Sequence, residues 1–354
     1  MELRRMIAVL AIACATSLAQ AALTSQGLLN IDAIKPAGNN AYIGGGMAFI
    51  PGGTDSIAED TLVINWAVAD GTNRNQVFQR ITIPAGGGTP TVLASATLSW
   101  SLLYDGVNQY GNGSGGDLVY DAANNRLVYS GTGTYASRFI SFSLFDSSTT
   151  VGSVGYSAAH GDNTQRFGQT LALTPDGQYM TFYTYSNNLR KVTISPAGMS
   201  GGAVTKTNMP VSGFTGWYPN SDGYPGTTDG YNCEGIVLYD DSYLLLRSFK
   251  NSATSKQEAH IYQVDSAFDA AAVNAYTDLG EVQQIAGMDS TSRAAWGLTA
   301  DPATGTAFVR YGYVNQAGSY NRIQIVGGLP VVPEPATLAL MVGGLTLTML
   351  RRRR

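Results

Sequence analysis

Carboxylates recur with aromatic or basic side chains in four stretches of this chain. Residues 100–116 hold Tyr104, Asp105 and Tyr110. Residues 160–166 hold His160, Asp162 and Arg166. Residues 214–234 are the richest, with Trp217, Tyr218, Asp222, Tyr224, Asp229, Tyr231 and a final Glu234. Residues 289–296 hold Asp289, Arg293 and Trp296. Aromatic faces can stack on sugar rings while Asp, Asn and Arg bond the hydroxyls, so a shallow glycan site fits these types. Glycoside hydrolysis needs two carboxyls roughly 5 to 9.5 Å apart. Asp229 and Glu234 are the candidates for it, with Asp105, Asp162 and Asp289 in support. The competing roles are ordinary ones: Tyr and Trp pack between sheets, and Asp beside Gly makes turns.

Other chemistries find little support. The two histidines, His160 and His260, form no His-x-x-x-His pair, and no Cys-x-x-Cys occurs. Asp222-Gly223 and Asp229-Gly230 could hold calcium in a loop, but EF-hand spacing is absent and no cofactor is expected. Of the two cysteines, Cys14 lies in the apolar leader, which leaves Cys233 without a partner for an internal disulfide.

The stretches must be positioned by strands. Between residues 22 and 326, short apolar runs are bounded by Gly, Pro, Asn and Asp, which is strand and turn chemistry. The best helix candidate there is the short segment 265–276. Five hairpins are expected. They run Gly46–Phe49 into Leu62–Ile64, Asp117–Asp121 into Arg126–Tyr129, Leu171–Thr174 into Gln178–Phe182, Gly235–Tyr239 into Tyr243–Leu246, and Trp296–Ala300 into Thr306–Val309. A third strand follows each, at 77–83, 139–145, 189–194, 261–264 and 322–326. A fourth fits at 91–98, 151–156, 203–209 and 279–285. The last set lacks one, and residues 28–34 are expected to supply it and close a ring. Four strands per set, no crossover helices and ring closure predict an all-β fold, a β-propeller of about five four-stranded blades. A β-sandwich and a β-solenoid are the rivals. The pattern "Leu118-Val-Tyr-Asp … Asn124-Asn-Arg-Leu-Val-Tyr129" resembles the inner hairpins of NHL, YVTN or WD40-like propellers, and that resemblance is architectural only.

The ends carry addresses. Arg4 and Arg5, an apolar run from Met6 to Ala13, and the small-x-small site Ala19-Gln20-Ala21 read as a secretory signal over 1–21. At the other end, Pro333-Glu334-Pro335 precedes an uncharged run 336–350 and then Arg351, Arg352, Arg353 and Arg354. As a helix the run would span about 22 Å, short for a bilayer core of roughly 30 Å, a gap that snorkelling arginines and local thinning can close. Four arginines after the span favour a cytoplasmic C-terminus. This tail resembles the PEP-CTERM sorting signal of Gram-negative, exopolysaccharide-producing bacteria. The resemblance implies Sec export, membrane retention, and cutting near Pro333-Glu334-Pro335 by an exosortase, with release to the cell surface or matrix. It divides the chain into a signal peptide (1–21), a propeller-like domain (22–326) with a linker (327–332), and a sorting tail (333–354) with a transmembrane segment at 336–350. Signal and tail would add a helix at each end of the β-domain.

The chain carries 21 basic and 25 acidic residues; the two ends take six of the arginines and two of the glutamates, leaving the domain near −8. Nucleic acid is a poor partner for such a surface. The sequence thus points to an exported, exosortase-sorted surface or matrix protein whose propeller binds polysaccharide or a protein partner. The alternatives are a secreted glycoside-active enzyme on the same fold and a purely structural matrix component.

Overall fold

Each expected hairpin turn holds one residue that bends the backbone into the left-handed region: Gly53, Asn125, Gly177, Asp240 and Gly305, with φ of 79, 48, 74, 55 and 67°. Gly, Asn and Asp are the residues that reach this region at least cost. The strands on either side are set by β-branched and aromatic residues. The computed structural model describes residues 22–37, 42–54, 57–70, 73–103, 116–132, 137–151, 155–156, 170–182, 189–193, 205–209, 232–251, 256–265, 276–282, 294–312 and 321–332.

The chain opens with β1 (Thr24–Asn30) and the 3₁₀ turn Ile31–Ile34. β2 (Tyr42–Ile50), β3 (Thr61–Asp70) and β4 (Asn73–Thr82) follow, then the two-residue β5 (Gly87–Gly88) and β6 (Val92–Leu98). Next come β7 (Gly116–Asp121), β8 (Arg126–Thr132), β9 (Ser137–Ser143), β10 (Thr149–Val151) and β11 (Gly155–Tyr156). The third group is β12 (Thr170–Leu173), β13 (Tyr179–Phe182), β14 (Leu189–Thr193) and β15 (Thr205–Met209). The fourth is β16 (Asn232–Tyr239), β17 (Ser242–Asn251), β18 (Lys256–Asp265) and β19 (Tyr276–Glu281). The chain closes with β20 (Ala294–Asp301), β21 (Thr306–Gly312) and β22 (Arg322–Gly327).

These strands form five sheets, ordered β10-β6-β4-β3-β2, β11-β9-β8-β7, β12-β13-β14-β15, β16-β17-β18-β19 and β20-β21-β22-β1-β5. The first strand of each group packs against the first strand of the next, β2 on β7, β7 on β12, β12 on β16, β16 on β20, and β20 back on β2. The result is a mostly β, propeller-like arrangement around a ring of first strands. All five expected hairpins are present. The last sheet is closed from the N-terminus as expected, but by Thr24–Asn30, antiparallel to β22, and residues 31–34 turn instead. The fourth strand expected at 151–156 is divided. β11 joins its own sheet, while β10 crosses to pair in parallel with β6 of the first. The signal, the sorting tail and their expected helices lie outside the described residues, as do residues 266–275 of the helix candidate. Among the described residues, no helix is long and apolar enough to cross a membrane.

The core lies between sheets. Ala48, Val63 and Phe78 of the first sheet meet Leu118, Tyr129 and Phe142 of the second. Leu62, Ile64 and Trp66 of the first meet Phe308, Ile323 and Ile325 of the last. Burial follows position. In β3, residues 61–67 are all buried because sheets cover both faces. In the outer strand β6, burial alternates, because only one face is covered. Each fully buried large side chain contributes about 1.5 to 3 kcal/mol.

Candidate functional site

The ring of first strands has two ends. At the turn end the first strands hand over to the second. At the loop end the long connections arrive, and the aromatic- and carboxylate-rich stretches are those connections. Tyr104, Asp105, Tyr110, Asp162, Arg166, Trp217, Tyr218, Asp222, Tyr224, Asp229, Tyr231 and Arg293 lie outside the described residues. Two expected site residues, Glu234 and Trp296, have their backbones in β16 and β20.

Those two backbones share one feature. β16 slips in register against β17 between Cys233 and Gly235, and β20 slips against β21 between Ala295 and Gly297. Glu234 and Trp296 are therefore the extra residues of two β-bulges at matching places on neighbouring first strands. Bulges interrupt pairing and are over-represented beside active sites. β2 is irregular over the corresponding stretch, between Ile43 and Met47. The glycines after the bulges let strands meet backbone to backbone. A Cβ on Gly235 would lie 2.6 Å from Leu298 Cβ, and one on Gly46 would lie 3.0 Å from Leu118 Cβ.

At the same level, four residues before its strand ends, β7 carries Asp117 where β2, β16 and β20 carry Gly46, Gly235 and Gly297. Asp117 is 2% exposed. Its Oδ2 accepts from the backbone N–H of Leu171 in β12 at 2.8 Å, and its Oδ1 from that of Leu118 at 2.8 Å. The Met47 N–H of β2 also bonds it, so one carboxyl ties three first strands together. Burial pushes this carboxyl up to about 8, against the pull of those N–H groups and of Arg310. Ser130 Oγ accepts from the Asp117 N–H at 3.1 Å.

Arg310, wholly buried, closes the junction between the last sheet and the first. Its Nη1 donates to Gly46 O and its Nη2 to Asn65 O, each at 2.9 Å. Its guanidinium lies 5.8 Å from the Trp66 ring centre, near enough for a cation–π attraction. Burial lowers it to about 9, and Asp117 opposes that shift. Asn65 Oδ1 accepts from Gly46 N–H at 2.9 Å, and its Nδ2 donates to Gln76 at 3.2 Å. The loop end of the ring thus rests on a buried polar floor. Neither Asp117 nor Arg310 belongs to the candidate set that the sequence suggests. The signal for Asp117 was present: a charged residue where three of the other four first strands place glycine.

Two other carboxylates, Asp121 and Asp301, are committed to the fold. Asp121 accepts from Asn124 N–H, Arg126 Nε at 3.0 Å and Tyr179 Oη at 2.8 Å. Asp301 accepts from Ala303 N–H at 3.0 Å and Thr304 Oγ1 at 2.5 Å. A concavity of about 1070 Å³, between the first and last sheets, is lined by Phe49, Glu59, Asp60, Asp301 and Phe308. Asp60 is taken there by the Gly52 N–H at 2.7 Å. Gly198-Met199-Ser200-Gly201-Gly202 has the spacing of a nucleophile elbow, which requires a strand running into a helix. That segment lies outside the described residues, between β14 and β15 in the sequence. Among the described residues, no group of His, Cys, Asp and Glu is arranged to hold a metal ion.

No protein-family profile matches the sequence, and no curated protein matches it. Solved structures do resemble the fold. A GH43 endo-arabinanase from Bacillus licheniformis is 14% identical, with a TM-score of 0.44 over 82% of this chain and 95% of its own. An endo-arabinase from Bacteroides thetaiotaomicron is 8% identical, with a TM-score of 0.42 over 88% of this chain and 99% of its own. A GH43 glycoside hydrolase engineered for endo-xylanase and exo-arabinofuranosidase activity is 11% identical, with a TM-score of 0.47 over 88% of this chain and 55% of its own.

Proposed function

We propose that this chain is an exported, carbohydrate-directed propeller of five blades that cleaves glycosidic bonds at the loop end of its ring. The observation that carries this is the pair of bulges that set Glu234 and Trp296 at one level of adjacent first strands. A carboxylate and an aromatic residue at one level of the ring are the least that holding a sugar and protonating or attacking at its anomeric bond require. Asp229, Asp105, Asp162 and Asp289 are the candidates for the second carboxylate that hydrolysis requires. Asp117 and Arg310 form the floor that positions the strands.

A second reading, recognition of polysaccharide without cleavage, is favoured by the same Trp296 and the aromatic loops. One experiment separates the two. The domain 22–332 is incubated with arabinan, xylan and an exopolysaccharide, and both reducing ends and gel retardation are measured. Reducing ends support cleavage. Retardation without them supports recognition, and the absence of both overturns the carbohydrate reading. The signal and tail make the protein an exosortase substrate, held by 336–350 until it is cut near Pro333-Glu334-Pro335 and released to the surface or matrix.

A further inference from the structure

The end of the folded domain is tied to the turn end of the ring. Leu329 N–H donates to Gly305 O at 3.1 Å, and Val332 N–H donates to Pro302 O at 2.9 Å. Both acceptors belong to the turn between β20 and β21. Tyr239, the last residue of β16, donates through Oη to Pro330 O at 2.5 Å. Leu329 is buried in the cluster formed by the fourth and last sheets, and Val332 packs against it. Leu23, two residues beyond the expected signal cleavage site, packs against that same cluster. Residues 329–332 are therefore a strap across the turn end, and the chain leaves the fold there.

The apolar run begins at residue 336, so only residues 333–335 separate the strap from it. Three extended residues reach about 10 Å. The headgroup zone on each side of a bilayer is about 5 to 7 Å deep. A tether this short leaves the domain little freedom to turn over.

We infer that, while the tail is attached, the domain stands with its turn end toward the lipid headgroups and its loop end facing away from the membrane. This rests on the membrane-anchoring part of the function proposed above. Adhesion plays no part in it. The turns expose Glu59, Asp60, Asp176, Asp240 and Asp241, which an anionic surface repels. That repulsion opposes this orientation, so the short tether alone has to hold it. The sugar-directed end then meets polymer before the tail is cut as well as after.

The test uses the exported chain with its tail, 22–354, carrying Cys233→Ser. One fluorophore is attached through Ala123→Cys or Asp241→Cys, both on exposed turns, or through Ser101→Cys, exposed just after β6 at the loop end. The chain is placed in phosphatidylethanolamine–phosphatidylglycerol vesicles bearing a headgroup spin label. The expected result is a chain that floats with the vesicles, with most of the fluorescence lost at positions 123 and 241 and retained at 101. A floating chain quenched as strongly at 101 as at 241 overturns the orientation and leaves the anchor intact. A chain that does not float overturns the anchor and the orientation together.

Discussion

At the residue scale, the buried pair Asp117 and Arg310 is the feature with the clearest physical consequence. Burial raises the Asp117 carboxyl from the ordinary 3.8 to about 8. Between those values the folded chain holds a proton that the unfolded chain has lost. Its contribution to stability is therefore full below about 4 and is lost as pH rises through about 8. We expect Tm by calorimetry to fall from roughly pH 5 to pH 8, and Asp117→Asn to flatten that fall. A slope unchanged by the substitution would show that Asp117 is not its source. This residue was hard to read from sequence because Asp117-Leu-Val-Tyr-Asp121 looks like a strand flanked by turn carboxylates. Only comparison with Gly46, Gly235 and Gly297 at the same level of the ring marks Asp117 as different. Glu234 and Trp296 enter the proposal by residue type, which needs no partner strand, while their shared level on the ring came only from the fold.

At the scale of elements, the hairpins were legible because each is local: an apolar run, a residue able to adopt positive φ, and a second apolar run. The bulges were not, since a register slip exists only relative to the partner strand. β10 was illegible for a similar reason. Three residues pairing in parallel with a strand some fifty positions away leave no local pattern. The strap supplies the prediction at this scale. Gly305 has φ +67°, and a Cβ there would lie 2.4 Å from Leu329 O. Gly305→Ala should therefore cost about 1 to 3 kcal/mol, through backbone strain and a loosened strap, read by chemical denaturation. A loss below about 0.5 kcal/mol would mean that the strap is not held by this turn.

At the scale of the molecule, ring closure by the N-terminal strand was legible from counting. Four sets had four strands, one had three, and an unused apolar run stood near the start. Its limits were misplaced because Ile31–Ile34 is as apolar as the strand before it, yet turns as a 3₁₀ segment. The tail makes its own prediction: the intact mass of the released protein should lack everything beyond about residue 335, and a mature species that retains Arg351–Arg354 would make the segment a permanent anchor. The central claim concerns the loop end of the ring, and Glu234→Gln tests it most directly. On a polysaccharide that the domain 22–332 cleaves, this variant should release reducing ends at least 10²-fold more slowly, since an acid–base group contributes about that much, while still retarding in a gel containing the polymer. Release at the wild-type rate by a folded Glu234→Gln variant would contradict the placement of catalysis at this bulge.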